Sequence, residues 1–131
     1  MNALLIAPDA SAQRLRDTVK RVLAEAGVNV KMPDSWEGED AADAIIGAIP
    51  SVDLVIADVS QEDPNVLYEL GYAHALRKDT ILLVSKNASP RIPSDIVGSY
   101  IFSYDPEDLG TLGEYLKHQA SGLKQRREAI A

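Results

Sequence analysis

The sequence predicts an α/β fold in which helices cover both faces of an open, five-stranded parallel sheet. Three short apolar runs are each followed by polar or turn-forming residues: ALLIA at 3–7, LVIA at 54–57 and ILLV at 81–84. Stretches with apolar residues at helical spacing separate these runs, and such an alternation is typical of βαβ units. At 131 residues the chain is expected to form a single domain, 1–131, with a substantial core.

The first strand and the first helix are predicted over residues 3–26. The strand at 3–7 is apolar on both faces, as a central parallel strand should be, and Ser11 can cap the helix that follows. Gly27 ends this helix, because glycine is favoured just past a helix C-terminus. The helix carries four basic residues that are predicted to face water: Arg14, Arg16, Lys20 and Arg21.

The rest of the chain continues this alternation. The predicted elements are, in order, an edge strand at 28–32, a helix from about Asp40 to Ile49, a strand at 53–58, a helix from Pro64 to about Arg77, a strand at 80–85, one helical turn at 94–97 and a strand at 99–104. Asp105, Pro106 and Glu107 provide an N-cap, a proline at the first position and an acid in the first turn of a last helix. This last helix runs to about Arg127. Five such strands favour a flavodoxin-like three-layer sandwich with strand order 2-1-3-4-5.

The composition excludes several classes of function. The formal charge of −7 disfavours a nucleic-acid polymer as a partner, since phosphate contacts need clustered lysine and arginine. The basic cluster of Lys124, Arg126 and Arg127 is predicted to be a solvated helix end. The absence of cysteine excludes disulfides and thiolate metal ligands, and His74 and His118 are too isolated for a metal site. No apolar run approaches the roughly 20 residues that span a bilayer, so we expect a cytoplasmic protein without membrane contact.

A candidate site lies where the predicted strands end. In the order 2-1-3-4-5 the first and third strands are neighbours, and ligands bind at the carboxyl ends of such strands. Seven residues are expected at this edge: Ala7, Pro8, Asp9, Asp58, Asp63, Asn65 and Glu69. Local roles are the alternative for two of them, because Asp63 could cap the third helix and Asn65 could satisfy the backbone of a turn.

Glu69 lies on the shoulder of the apolar stripe of the third helix, away from its polar face. The stripe is formed by Val66, Leu70 and Ala73, and a rotation of 100° per residue places Glu69 about 60° from Val66. A carboxylate there is partly desolvated, which tends to raise its pKa and suits nucleophilic or acid–base chemistry. The alternative is a first-turn acid that the helix dipole favours and that pairs with a basic residue at 77–78.

The stretch 53–85, DLVIADVSQEDPNVLYELGYAHALRKDTILLVS, resembles the core motif of the nucleoside 2-deoxyribosyltransferase-like superfamily, including its TIR-like relatives. The shared features are a strand ending in aspartate, a loop with Pro-Asn, and a helix that begins Tyr-Glu-Leu-Gly at 68–71. Asp63 precedes Glu69 by six residues, as the motif requires. Weaker similarity extends over roughly residues 2–102.

This resemblance implies cleavage or transfer of an N-glycosidic bond in a nucleoside, nucleotide or NAD-type substrate. Glu69 matches the family nucleophile, which attacks the anomeric carbon and displaces the base before water or a second base resolves the ester. Asp63 matches the acid that hydrogen-bonds the sugar or assists at the base, and Asp58 matches a carboxylate near the base. Asn65 and Tyr68 would shape the pocket. Small relatives often assemble as homodimers or larger homo-oligomers in which a neighbour closes the pocket.

Several other residues leave alternatives open. Trp36 could stack on a base or cover the edge of the sheet. The stretch after the first strand lacks the aromatic residue that transferases usually carry there, and its candidates for phosphate recognition are Ser11 and Arg14. No glycine-rich phosphate-binding motif is present, and we expect no cofactor and no metal. The face of the third helix that carries Gly71 and Ala75 could contact a second copy of the chain.

Two other classes of protein would fit the same fold. A non-catalytic nucleotide sensor or a TIR-like interaction domain would bind without turnover. A phosphoacceptor receiver domain would use Asp58, but receivers need an acidic pair after the first strand and a lysine after the fifth. Here Asp9 stands alone, and the fifth strand ends in Tyr104 and Asp105, which disfavours a receiver.

Overall fold

The computed structural model describes residues 1–96 and 100–130, and strands and helices alternate along it. The strands are β1 (Asn2–Ile6), β2 (Asn29–Lys31), β3 (Leu54–Asp58), β4 (Asp79–Ser85) and β5 (Tyr100–Tyr104). The helices are α1 (Gln13–Glu25), α2 (Gly38–Ala48), α3 (Pro64–Ala75) and α4 (Gly110–Ile130). Three 3-10 turns lie at Ala10–Ala12, Ile49–Ser51 and Ser94–Ile96. The predicted end of the helical turn and the predicted start of the fifth strand fall at 97–99, outside the described residues.

The sheet is parallel throughout, and its strand order β2-β1-β3-β4-β5 confirms the predicted order of a flavodoxin-like fold. The register pairs Asp58 at the end of β3 with Leu83 of β4. It pairs Ser85 at the end of β4 with Tyr104 at the end of β5. The carboxyl ends of these strands therefore meet along one edge of the sheet, and the order reverses between β1 and β3, where open α/β sheets bind ligands.

The sheet has a hydrophobic core on each face, because successive strand residues point to opposite sides. The face that packs against α1 and α4 includes Leu5, Ile56 and Leu83. The face that packs against α2 and α3 includes Leu4 and Val55. Burial of such side chains contributes about 1.5–3 kcal/mol each. Coverage of both faces explains why the strands are apolar at nearly every position. Within the described residues, no helix combines the length and the apolar character that crossing a membrane would require.

The chain enters α1 through a 3-10 turn that Asp9, rather than Ser11, caps. Asp9 Oδ1 accepts hydrogen bonds from the backbone N–H and from the hydroxyl of Ser11, both at 2.8 Å. The prediction that Ser11 caps the helix is therefore wrong, because its hydroxyl donates to the aspartate. Gly27 follows α1 with φ of +79°, the left-handed conformation that was the reason to end the helix there.

The prediction that Arg16 faces water is wrong. Its side chain is buried, with 7% exposure, and its Nη1 donates to the carbonyl oxygens of Ala7 at 2.7 Å and of Asp9 at 2.8 Å. An arginine is buried when acceptors satisfy its donors. These acceptors exist only because the chain turns after β1, so the helical pattern of α1 could not reveal them.

The last helix begins at Gly110, four residues later than the sequence predicts. Asp105 caps a turn instead of a helix, since its Oδ1 accepts from the backbone N–H of Glu107 at 2.9 Å and its carbonyl accepts from Asp108 N at 3.1 Å. Asp108 Oδ1 then accepts from the backbone N–H of Gly110 at 3.2 Å. The stretch DPED at 105–108 contains residues that are typical of a helix start, but in the folded chain they form a turn.

The basic cluster near the C-terminus makes contacts with the first half of the chain. Lys124 Nζ donates to the carbonyl oxygen of Ala26 at the end of α1. Arg127 Nη2 lies 2.7 Å from Asp53 Oδ1, and Asp53 Oδ2 accepts from the backbone N–H of Asn2 at 2.8 Å. We call this set of contacts the C-terminal clasp. The predicted solvated helix end thus fastens α4 to the amino ends of β1 and β3.

Candidate active site

A cavity of about 480 Å³ lies at the carboxyl edge of the sheet, over the switch point between β1 and β3. This volume lies within the range of small-molecule sites. Its polar lining residues are Asp9, Ser11, Arg14, Asp58, Ser60, Gln61, Asp63, Ser85 and Tyr104. Carboxylates thus outnumber cations among these lining residues by three to one.

One wall of the cavity is the loop after β1, which contains Ala7, Pro8 and Asp9. The buried guanidinium of Arg16 holds this loop through the carbonyl groups of Ala7 and Asp9. Hydrogen bonds from the backbone N–H and the hydroxyl of Ser11 lower the pKa of the Asp9 carboxyl. Hydrogen bonds from Arg16 and Ser11 therefore tie this loop to the start of α1.

Trp36 packs against this wall from behind. Its ring lies over the guanidinium of Arg16, with the Arg16 Cζ 5.6 Å from the ring centroid, a distance typical of a cation–π contact. The ring is also partly buried against the core beside α2 and α3. Trp36 is not among the residues that line the cavity, so the geometry favours the covering role of this residue over stacking on a base.

The floor of the cavity joins the ends of three strands. The hydroxyl of Tyr104 donates to Asp58 Oδ2 at 2.5 Å, and the backbone N–H of Ser60 donates to Asp58 Oδ1 at 2.9 Å. The backbone N–H of Ser85 donates to Ser60 Oγ at 2.7 Å. Burial, followed by the hydrogen bond to Asp58, raises the pKa of Tyr104, so its hydroxyl stays protonated. Both oxygens of Asp58 are therefore engaged by the protein.

The second wall begins with the loop between β3 and α3. Asp63 lines the cavity, and its Oδ1 accepts from the backbone N–H of Asn65 at 2.9 Å, so it also caps α3 as one of the two predicted readings proposes. Asn65 is exposed and does not line the cavity. Tyr68 is 73% exposed and does not line the cavity either. Glu62, just before the cap, has a positive φ of 52°, which is unusual for a residue with a side chain.

Glu69 is the exceptional residue of this wall. It is 5% exposed, and its Oε2 has no hydrogen-bond partner among the described residues. Burial, and secondarily the charge of Asp63, raises the pKa of Glu69 from 4.5 to about 7. The alternative in which Glu69 pairs with a basic residue at 77–78 is not realised by Lys78, because its Nζ donates to the carbonyl oxygen of Pro50 at 2.9 Å.

Glu69 lies behind the cavity wall, not on its surface. Val66, one turn earlier on α3, lines the cavity, whereas Glu69 does not. Asp63, a further turn towards the helix start, is also a lining residue. The Glu69 carboxyl group is therefore buried on α3 one turn beyond the lining residue Val66.

The structure thus gathers some of the predicted site residues and separates others. The predicted residues that line the cavity are Ala7, Pro8, Asp9, Asp58 and Asp63, together with the two candidates for phosphate recognition, Ser11 and Arg14. The predicted residues outside the lining are Trp36, Asn65, Tyr68 and Glu69. Tyr104 and Ser60 line the cavity but were not singled out from the sequence. The signal for Tyr104 was its place at the end of a strand in the same parallel sheet as Asp58.

Within residues 1–96 and 100–130, no group of three or more histidine, aspartate or glutamate side chains is arranged to hold a metal ion. The three aspartates of the cavity instead take their hydrogen bonds from nearby protein groups: Ser11 donates to Asp9, Tyr104 to Asp58, and Asn65 to Asp63.

Solved structures share this fold, although no family model and no curated protein sequence matches the chain. The chain is similar to the CMP N-glycosidase BcmB of Clostridium botulinum, with a TM-score of 0.62 and 24% identity over 88% of this chain and 98% of that one. A 2-deoxyribosyltransferase from Bacillus psychrosaccharolyticus gives a TM-score of 0.62 and 18% identity, over 86% of this chain and 96% of that one.

A response regulator receiver domain from Clostridium thermocellum is equally similar in shape. Its TM-score is 0.65 and its identity 14%, over 99% of this chain and 98% of that one. Likenesses at such identities establish the fold alone, and the same fold serves these different proteins. The chemistry of the cavity must therefore be argued from its residues.

Proposed function

We propose that this chain cleaves or transfers the N-glycosidic bond of a nucleoside, nucleotide or NAD-type substrate, with Glu69 as a carboxylate nucleophile. The observation that carries the proposal is the burial of Glu69 with Oε2 unpartnered among the described residues. An unpaired buried carboxyl costs stability, and groups with strongly shifted pKa values cluster at functional sites. The likeness in fold to an N-glycosidase and a deoxyribosyltransferase supports this choice.

In the proposed first step, a Glu69 oxygen forms a bond to the anomeric carbon while the bond from that carbon to the base nitrogen breaks. The electron pair of the broken bond stays on the base, which takes up a proton from water unless it departs from a cationic form. In the second step, water or another base attacks the same carbon and releases the Glu69 carboxylate. Asp63 would hydrogen-bond the sugar, and Asp58 would lie near the base.

This mechanism requires the Glu69 carboxylate to reach the cavity from behind Val66. A glutamate side chain has three rotatable bonds with staggered alternatives, so a change of rotamer can move the carboxylate without moving α3. Entry into the cavity would also bring the group closer to water and to a cationic sugar in the transition state. We therefore propose that this change of rotamer accompanies substrate binding.

The test is the release of free base from a panel of nucleosides, nucleoside monophosphates and NAD, followed by chromatography. We expect turnover of at least one class by the wild type and its loss in Glu69→Gln, which retains the shape of the side chain but cannot form the ester. Glu39→Gln is the matched control, since Glu39 is exposed in the first turn of α2. Equal release by Glu69→Gln and the wild type would disprove the nucleophile assignment.

A non-catalytic nucleotide sensor is the second candidate, and one observation favours it. Glu69 is not among the cavity-lining residues, so the cavity can hold a ligand without contact to this carboxyl. In that case the wild type and Glu69→Gln would bind the same nucleotide with similar affinity, and neither would release base. Isothermal titration of both proteins, run beside the release assay, separates the two candidates.

We also propose that two copies of the chain associate through the outer face of α3. Beyond its buried stripe, α3 and its C-cap residue carry a second row of apolar or small residues at helical spacing: Tyr68, Gly71, Tyr72, Ala75 and the C-cap Leu76. Tyr68 is 73% exposed and Leu76 41%, and a Cβ added at Gly71 would meet no atom within 4 Å. Such a row allows two helices to approach closely.

Light scattering coupled to size exclusion tests this association. We expect a dimer for the wild type and a monomer for Ala75→Glu, because the new charge would be buried in the contact. Ala42→Glu, on the exposed face of α2, is the control and should remain a dimer. A monomeric wild type at high protein concentration would contradict the proposal.

A further inference from the structure

The floor of the cavity is a directed set of hydrogen bonds that converge on Asp58. Tyr104 donates its hydroxyl proton to Asp58 Oδ2, and the backbone of Ser60 donates to Asp58 Oδ1. The Ser60 side chain hydrogen-bonds the Tyr104 oxygen, which leaves one lone pair of that oxygen for a ligand. Ser85 donates in turn to the hydroxyl oxygen of Ser60. All four residues line the cavity, and Tyr104 is 7% exposed. The floor is therefore ordered by the protein before any ligand enters.

The direction of these bonds decides what the floor can recognise. A tyrosine hydroxyl has one proton, and Asp58 already takes it, so towards a ligand the Tyr104 oxygen can only accept. An ionised aspartate can likewise only accept. Asp58 and Tyr104 together thus offer acceptors to a ligand that carries an N–H or O–H group. A ligand with a carbonyl oxygen at the same place would leave both sides without a donor, which is unfavourable in a buried site.

The fold alone does not require this hydroxyl. The Tyr104 ring packs in the core beside α1 and α4, where phenylalanine would occupy the same space. A nearby pair, Phe102 and Tyr115, stacks with ring centroids 4.1 Å apart and serves the same core without reaching the cavity. The Tyr104 hydroxyl differs because it lies at the strand ends, where its partner is a site carboxylate.

We propose that Tyr104 is a specificity-determining residue, which accepts a hydrogen bond from an N–H or O–H group of the substrate and positions Asp58 to do the same. The proposal rests on the proposed nucleoside-type substrate and deepens it, because it names the substrate feature that is read. Two groups have the required chemistry: an exocyclic amino group of the base and a hydroxyl of the sugar. Tyr104 belongs to no part of the predicted motif.

The experiment measures binding in the Glu69→Gln background, so that turnover does not enter. Three kinds of ligand pair are compared. Adenosine with inosine, and cytidine with uridine, exchange an exocyclic amino group for a carbonyl while the adjacent ring nitrogen gains an N–H. Each ribonucleoside differs from its 2′-deoxy form by one hydroxyl donor. For the pair that the protein discriminates, Tyr104→Phe should weaken binding of the donor-bearing member by roughly 3- to 10-fold. The preference over its partner should fall towards one. A change in the amino pairs assigns the donor to the base, and a change in the 2′-deoxy pairs assigns it to the sugar.

Tyr115→Phe is the matched control, since it removes a hydroxyl from the same core but not from the cavity, and it should keep the wild-type preference. In the active protein, Tyr104→Phe should raise KM and leave kcat within about twofold, as expected for a group that contributes to binding alone. Asp58→Asn provides a second variant. It places an amide donor on the floor and should shift preference towards the carbonyl-bearing member of a pair.

The outcomes separate this proposal from the proposed activity. Unchanged preferences in both Tyr104→Phe and Asp58→Asn would overturn the role of Tyr104, even if the wild type releases base. Lost preference in Tyr104→Phe, without base release by the wild type, would support the role of Tyr104 and overturn the glycosidase. Absence of nucleoside and nucleotide binding to the wild type would overturn both.

Discussion

The two walls of the cavity each contain a buried ionisable residue, and the two residues differ in their hydrogen-bond partners. Arg16, 7% exposed, donates to two carbonyl groups and is covered by the Trp36 ring. Glu69, 5% exposed, has an oxygen without a partner among the described residues. Burial of a charge is tolerated when its hydrogen bonds are replaced and is costly when they are not. The buried charge of the first wall is thus hydrogen-bonded and stabilises the fold. The second wall keeps a buried carboxyl group that lowers the stability of the folded protein.

Replacement of Arg16 should have the largest effect on stability. Arg16→Met keeps the aliphatic length but leaves the carbonyl groups of Ala7 and Asp9 without their donor, and we expect a loss of roughly 2–4 kcal/mol in the free energy of unfolding. Urea denaturation at neutral pH measures it. Arg14→Met, an exposed residue of the same helix, is the control. A loss below about 0.5 kcal/mol would show that water replaces these bonds, and the walls would then not differ.

Replacement of Glu69 should increase the free energy of unfolding, whereas replacement of Arg16 should decrease it. Its folded pKa of about 7 exceeds the unfolded value of 4.5, so between these pH values the folded state holds more protons and its stability falls as the pH rises. Glu69→Gln, which cannot ionise, should gain up to about 3 kcal/mol relative to the wild type at pH 8, and less than about 1 kcal/mol at pH 5.

Paired urea titrations of the wild type and Glu69→Gln at pH 5 and pH 8 give this difference. Glu39→Gln should follow the wild type at both pH values, because Glu39 is exposed. A stability difference that does not grow with pH would mean that Glu69 finds a partner in solution.

The raised pKa of Glu69 also predicts how the proposed release of base should depend on pH. A nucleophilic Glu69 must be ionised, and its pKa is raised to about 7. The value of kcat/KM should therefore rise about tenfold per pH unit up to pH 7 and level off above it. Initial rates between pH 5 and pH 9 test this. A rate that falls over this range would indicate that Glu69 acts as a proton donor.

Removal of the Trp36 ring should have the smallest effect. Trp36→Leu keeps an apolar side chain against the core but loses the contact with the Arg16 guanidinium, which is worth about 0.5–2 kcal/mol. We expect a decrease in stability of about 1 kcal/mol, and no further decrease when the same change is made in Arg16→Met. The double-mutant cycle measures this coupling. Additive effects would show that the ring covers the core without supporting Arg16.

The order of the strands could be predicted because it follows from local patterns. Apolar runs covered on both faces must be central strands, and their alternation with helices leaves few topologies. The burial of Glu69 followed from the same kind of reasoning, since the rotation per residue places it about 60° from Val66, on the shoulder of the apolar stripe. Predictions from periodicity hold for residues whose burial depends only on the packing of their helix or strand against the sheet.

The roles of Arg16 and Tyr104, and the contact of Trp36 with Arg16, could not be predicted, because each depends on a contact between distant segments. Arginine on a helix is solvated by default, and the carbonyl groups that bury Arg16 appear only when the loop after β1 has folded. The predicted start of the last helix was wrong for a similar reason. The side chain of Asp105 pairs with Lys86 at 2.9 Å and caps a turn, which leaves the helix to begin later.

The C-terminal clasp lies at the amino ends of β1 and β3, the edge of the sheet opposite to the cavity. The last turn of α4 continues beyond it, and Ile130 is 87% exposed. A sensor chip or resin coupled to this turn would therefore hold the protein with its cavity turned outward. Immobilised protein should remain open to ligands diffusing from the bulk, which makes this end the natural point of attachment for screening.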